Sequence, residues 1–509
     1  MPRSLSLRTA PTLPLIALVF AGSPATSTAE DCRPGGEEAT AAAREMSKAL
    51  QEAAEIPGLA VAVGRGGELV WSDGFGLADL ETPAPATPRT RFRAASVSKV
   101  LTAAVLAHLA ARGTVDLDAP IGTHLPDLPP ALEAVTLRQL AGHLGGIRHY
   151  GREDFVPSPI DHRHFDSLAD SLELFAGDEL VAAPGSEYRY STFGYTLLGA
   201  VLEAAAGRSF PVLLEEEVVR PLGLAGTGID HPRQILPGRA SFYERTREGE
   251  LVRAEYVDPS YKWPGGGLLT TPEDLVHFGL AHLGDGYVAA GWRKQLFTPQ
   301  TTSAGESTGV GLGWRIGEDW RGRRIFHHSG SMAGARTSLL LYPDHDLAIA
   351  LMSNLGTTPI LVETTLQMLA EPFFGGDCGE GAAAPAGVFR VAARFDGAPG
   401  EGLLLLERRG GGTSGLLTVP EPVAAALSAG GTPSPTALRI VRTARGPEGP
   451  ALVVAWPLGL LPLAVEPTAD GTLTGRLEAL GRVLEVVATP LAGGEPEANR
   501  GESEAPPPS

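Results

Sequence analysis

Strand-like runs stand at both ends of the first three quarters of this 509-residue chain and almost none between, so distant segments must share one sheet. LAVAVGR (59–65) and ELVWSDG (68–74) read as a hairpin around Gly66-Gly67. Strands return only at GVGLGWRI (309–316), RRIFHH (323–328), TSLLLYP (337–343) and LAIALMS (347–353). Helical patterns cover Thr40 to Ala54, 96–112 with Gly113 as a stop, and Pro359 to Leu369, and Thr271-Pro272 starts another with Thr as N-cap. Residues 115–260 are mostly helices and loops. The expected fold class is α+β: an antiparallel β-sheet flanked by helices plus an all-helical lobe, with the cleft between them.

From about Gly379 the texture changes. GEGAAAPAG reads as part of a linker over 377–387, and short alternating runs follow at 388–395, 402–409, 437–444, 451–458, 460–467, 471–480 and 482–490. Their regular spacing, with Gly and Pro turns, predicts a small all-β C-terminal domain over 388–492, a barrel or a sandwich. Residues 493–509 read as a disordered acidic tail.

At the other end, Arg3 and Arg8 precede an apolar stretch from Leu13 to Gly22 and small residues up to Ala29. This is the pattern of a secretory signal peptide over 1–29, and it predicts export to a periplasmic or extracellular compartment. The apolar run is about half the roughly 20 residues that span a bilayer, so no membrane span is expected after cleavage. Cys32 and Cys378 stand at the two ends of the segment read as the larger domain (30–376), one just inside it and one just beyond, and are placed to form a disulfide if its ends meet. A net charge of −18 opposes binding to nucleic acid or to anionic membranes. The expected partner is a small-molecule or peptide substrate; oligomeric state is left open.

The chemistry starts from scarcity. The chain holds four lysines against 37 arginines, and Lys99 follows Ser96 by three positions in Ser96-Val97-Ser98-Lys99. Only lysine can give up its proton in a protein interior, so the pair reads as a nucleophile and its proton acceptor. On a helix, i and i+3 share a face, and the helix N-terminus favours an oxyanion near the serine. Random placement gives roughly 0.2 such pairs in a chain of this composition, so the motif needs company.

Two further segments supply it: Tyr190-Ser191-Thr192-Phe193-Gly194-Tyr195, a polar turn entering an apolar helix, and His328-Ser329-Gly330-Ser331, ending a strand. In this order the three motifs resemble those of the serine β-lactamase and penicillin-binding-protein superfamily, in its class C and D-alanyl-D-alanine carboxypeptidase branch. GHLGGIRHY (142–150), YSTFGYTLLG (190–199) and SYKWPGGGLLTT (260–271) look closer still to the mitochondrial serine β-lactamase-like proteins and their bacterial relatives. The likeness covers roughly residues 40–375 and implies a β-lactamase/transpeptidase-like fold.

The resemblance implies that Ser96 is acylated, that Lys99 and Tyr190 form its proton network, and that His328 stands on the strand edging the cleft, where many relatives carry lysine. It implies an oxyanion hole from the backbone of Ser96 and Ser331, and substrate contacts from Thr192, Ser329 and Gly330. Thr192 stands where many relatives have asparagine, which argues against efficient β-lactam hydrolysis; a helix N-cap is its alternative role. No metal or organic cofactor is implied. The expected activity is that of an exported serine hydrolase acting on amide or ester bonds, as peptidase, esterase or weak β-lactamase. The rival is a non-enzymatic relative that binds a peptide or cell-wall fragment or serves assembly.

Other signals are weaker. Gly305-Glu306-Ser307-Thr308-Gly309 matches a nucleophile elbow but lacks its strand-turn-helix setting. His162 and His164 do not share a helix face and read as loop residues. Gly265-Gly266-Gly267 lets backbone pass near the cleft, Tyr261 and Trp263 line it or pack in the core, and Lys262 reads as a surface residue.

Overall fold

The computed structural model describes residues 36–156, 159–246, 248–356, 362–374, 387–395, 398–409, 412–418, 437–445, 450–456, 459–479 and 482–491. The segment 1–29, Cys32, Cys378, positions 377–386 of the linker and the tail 493–509 lie outside the described residues.

The hairpin Gly58–Arg65 and Glu68–Asp79 turns at Gly66 and Gly67, both at positive φ. Its first strand is buried along almost its whole length and pairs antiparallel with Leu347–Ser353, Leu59 lying opposite Ser353. Ala335–Tyr342, Arg324–Met332 and Arg315–Glu318 follow outward, and Ala84–Pro85 completes the far edge of a seven-stranded antiparallel sheet. Two ends of a long segment therefore meet side by side, as the distribution of strand-like runs requires. The Asn354 side chain locks the junction, accepting from Gly58 N at 2.6 Å.

Alternation along the strands divides the core in two. One face packs Leu59, Val61, Ile349 and Leu351 against the helices Glu37–Ala53 and Val362–Ala370. The other packs Ala60, Ala62, Leu339 and Leu341 towards Pro272–Leu283 and the helical lobe, whose centre is the two apolar helices Ser98–Ala111 and Thr192–Ala206. Thr271 caps Pro272–Leu283 by accepting from Asp274 N at 3.1 Å, with Pro272 in the first turn.

Eight strands from Gly387–Phe395 to Arg482–Pro490 form a closed barrel in which each pairs with its chain neighbour and the last with the first. Apolar side chains including Phe389, Leu406, Leu452, Leu463 and Val486 fill it. It includes Gly412–Thr418, which the sequence pattern did not mark. Val441, Val453, Ala455 and Leu460 join the core cluster of the Glu37–Ala53 side, so the barrel docks behind the sheet.

Candidate active site

Ser96 lies in a single 3-10 turn, Ala95–Val97, that runs straight into Ser98–Ala111. The preceding residue, Ala95, is held at φ 46°, a left-handed conformation an L-residue adopts only under constraint. The constraint comes from Arg324–Met332: a Cβ on Gly330 would stand 2.5 Å from Ala94 O and 2.9 Å from Ser96 N. Glycine lets that strand lie directly on the turn.

Three elements converge on the Ser96 hydroxyl. Tyr190 Oη donates to Ser96 Oγ at 2.9 Å, and Lys99 Nζ lies 3.4 Å from the same oxygen. Lys99 is fully buried and donates to Thr192 Oγ1 at 3.1 Å and to Gly265 O at 2.5 Å. Burial holds the Lys99 amine below the usual lysine range, and the charges of Lys262 and Arg315 act in the same direction. For Tyr190 burial acts upward, but Lys99, the Ser96 hydroxyl and Arg315 outweigh it and leave the phenol below its ordinary value.

The remaining sequence candidates sit around this centre in distinct ways. His328 is buried on the Ser96 side of its strand, and its Nδ1 lies 2.7 Å from Ser329 O, which fixes the hydrogen on that nitrogen. Burial, with Lys99 and Arg315 beside it, holds the ring well below the usual histidine range, so it is neutral. Ser329 belongs to the opposite face of the strand and donates its hydroxyl to Glu363. Ser331 stands opposite Arg336, which donates to its side chain. Thr192 is the first helical residue; the N-cap is Ser191, whose Oγ accepts from Gly194 N at 2.9 Å.

Lys262 corrects the sequence reading. It is buried, with Nζ 3.0 Å from Asp161 Oδ1, because Tyr150 and Tyr261 cover its stem and cation. Tyr261 is core, and the Gly265 backbone enters the site through its carbonyl. Gly305–Gly309 is loop, and His164 pairs with Asp258 at 2.8 Å.

Three residues of the site carried no readable motif of their own. Nδ1 of His143 accepts from Ser191 N and Nδ1 of His149 from Thr192 N, each at 3.2 Å, so two imidazoles hold the backbone just after Tyr190. His143 adopts φ 59° to do so, its ring centroid 4.5 Å from that of Tyr190. Both lie in GHLGGIRHY, conspicuous in sequence without an assignable role. Arg315, opposite His327 on the neighbouring strand, places its guanidinium 5.9 Å from the Tyr190 ring centre; only strand pairing brings it there.

Residues 43–370 match the family model described as Beta-lactamase. The serine beta-lactamase-like protein LACTB, mitochondrial, of Mus musculus is 29% identical over a match covering 64% of this chain and 76% of its own length. Among solved structures, the D-stereospecific amidohydrolase from Streptomyces sp. superposes with a TM-score of 0.53 at 24% identity, covering 62% of this chain and 94% of that one. The octameric penicillin-binding protein homologue from Pyrococcus abyssi covers 86% of this chain and 97% of its own, with a TM-score of 0.56 at 18% identity, so the shared architecture extends beyond the family segment.

Proposed function

The chain belongs to the beta-lactamase family, a family of serine hydrolases, and on that premise we propose that it cleaves amide or ester bonds through an acyl-enzyme on Ser96. The observation that carries the reading is the meeting of Tyr190 and Lys99 on one serine oxygen, inside a wall that keeps Lys99 short of water.

A neutral amine has two hydrogens and one lone pair. With both hydrogens on Gly265 and Thr192, the lone pair faces Ser96 Oγ and accepts its proton as the oxygen attacks the acyl carbon. Tyr190, already donating to Ser96, passes a proton to the departing amine or alcohol as the C–N or C–O bond breaks, and is reprotonated from Lys99. Water then attacks the Ser96 ester, its proton returns through Tyr190, and the acid leaves. Backbone N–H groups of Ser96 and Ser331 stabilise the negative oxygen of each tetrahedral stage, an effect typically worth 10²–10³ in rate.

Arg315 beside Tyr190 suits an anionic group on the substrate, whereas neutral His328 does not. Thr192, engaged with Lys99, offers no amide to an acylamide side chain. Peptidase activity is the first to be tried, then esterase, then weak β-lactamase. The segment 1–29 supports export of the mature chain.

A fluorophosphonate probe with intact-mass detection tests this. One adduct on the wild type, absent from Ser96→Ala, is expected. No adduct on folded protein turns the site into a binding pocket for a peptide or cell-wall fragment.

A further inference from the structure

Lys262 is the second buried lysine of the molecule, and the reaction above does not use it. Its side chain is 6% exposed, in the turn Ser260–Lys262, and its Nζ bonds to Asp161 Oδ1 at 3.0 Å. Tyr261 Oη donates to the same oxygen at 2.9 Å. The ammonium lies 4.8 Å from the Tyr261 ring centre and 5.4 Å from that of Tyr150, so two aromatic faces and one carboxylate hold it. A buried charge held this way stays in one place and is little screened.

That place adjoins the Ser96 site. A Cβ on Gly266 would stand 3.8 Å from Lys262 Cδ and 3.9 Å from the Ala95 carbonyl, so the lysine stem and the turn carrying Ser96 share a wall. On the other side Tyr150 lies against His149 at 3.9 Å between ring centres; His149 accepts from Thr192 N, and the Thr192 hydroxyl accepts from Lys99.

The charges facing Lys99 are few. His143 and His328 are neutral, both held well below the usual histidine range by burial, and burial lowers His149 to about 4. Tyr190 is the acidic partner, and the cations are Arg315 and Lys262. Burial lowers the Lys262 amine too, but the Asp161 carboxylate acts upward on it, whereas the group acting upward on Lys99 is the Tyr190 phenol, not a carboxylate. Tyr261 and Tyr150 also face Lys262, and Arg93 and Asp230, paired with each other at 3.0 Å, act on it in opposite directions.

We infer that Lys262 is a positioning residue for the Ser96 reaction: its charge, fixed by Asp161 in the wall beside Ser96, keeps Lys99 neutral and able to accept the serine proton. The inference rests on the acyl-enzyme reading of Ser96. The sign follows from like-charge repulsion. Without the Lys262 ammonium, Lys99 holds its proton to higher pH, and the active fraction at neutral pH shrinks.

The test is the pH dependence of fluorophosphonate labelling for the wild type, Lys262→Met, Lys262→Arg and the double variant D161N/K262M. In Lys262→Met the acid limb of the labelling rate moves to higher pH. Labelling slows roughly three- to tenfold at pH 6 to 7 and converges with the wild type at high pH. Lys262→Arg, which keeps a charge, restores the limb towards its wild-type position. The double variant carries no unpaired carboxylate, so it keeps the question answerable if Lys262→Met fails to fold, and its limb moves in the same direction.

A role in folding alone would lower the rate at every pH and leave the limb in place; that result, in a folded variant whose wild type labels at Ser96, overturns the inference and leaves the Ser96 reading standing. A wild type that does not label, or that still labels after Ser96→Ala, overturns both.

Discussion

The proposed reaction turns on the Thr192 hydroxyl. It accepts from Lys99 at 3.1 Å, one of two bonds that turn the amine's free position towards Ser96. Thr192→Val keeps the shape and removes the acceptor; labelling at Ser96 is expected to fall about tenfold, and Thr192→Ser to restore most of it, with the unmet N–H costing about 1–3 kcal/mol. Gly330→Ala is expected to be worse. Its methyl would press on Ala94 O and Ser96 N, and a displacement of about 1 Å at that turn costs on the order of 100-fold in rate, read in the same assay. Ser96 and Lys99 stood out in the sequence as a pair three positions apart, and Tyr190 only through the family resemblance that its motif carries; the structure brings the three side chains together. Lys262 did not stand out, because its partner Asp161 lies 101 positions earlier and nothing beside the lysine announces it. Arg315 was hidden in the same way, since its neighbour across the strands is His327.

Among elements, the helix Thr192–Ala206 ties stability to the site through its first turn. Ser191 caps it by accepting from Gly194 N and anchors it by donating to Arg148 O at 2.7 Å. Ser191→Ala is expected to cost about 1–2 kcal/mol, seen as an earlier urea midpoint, and to slow labelling because Tyr190 and Thr192 flank the cap. Strand LAIALMS is found over Leu347–Ser353 as its apolar run predicts. GVGLGWRI is not a strand throughout: the strand is only Arg315–Glu318, because Gly311 and Gly313 bring backbone against Leu296 O and Lys99 O, a fit that apolar alternation does not reveal. The barrel strand Gly412–Thr418 escaped notice for the opposite reason. Its composition of Gly, Thr and Ser reads as turn, and only pairing with Ala398–Arg409 and Ala437–Arg445 makes it a strand.

At the scale of the whole molecule, buried histidines make the fold sensitive to acid. Burial holds His282 and His327 down to about 4, whereas the unfolded chain protonates near 6.5. The folded state thus binds fewer protons in that window: stability is full above pH 6.5 and falls from there towards pH 4, by up to about 3 kcal/mol per residue. Urea midpoints at pH 7.5 and pH 5 check this; equal midpoints would contradict it. The barrel is fastened through Leu460, whose N–H donates to Thr365 Oγ1 at 3.1 Å and whose side chain is fully buried. Leu460→Asp is expected to lower the unfolding temperature by several degrees, with labelling at Ser96 largely kept below it, since the barrel docks behind the sheet. The pairing of Gly58–Arg65 with Leu347–Ser353 sets an order of events as well as a shape. A ribosome delivers the serine early and the strand that lies on its turn, Arg324–Met332, only some 230 residues later, after about 10–50 s at the usual rates of synthesis. Throughout that interval the strand that must lie on Ala94 and Ser96 does not exist. The nascent chain is therefore born without hydrolytic power, and acquires it in one late step that no amount of local folding can anticipate.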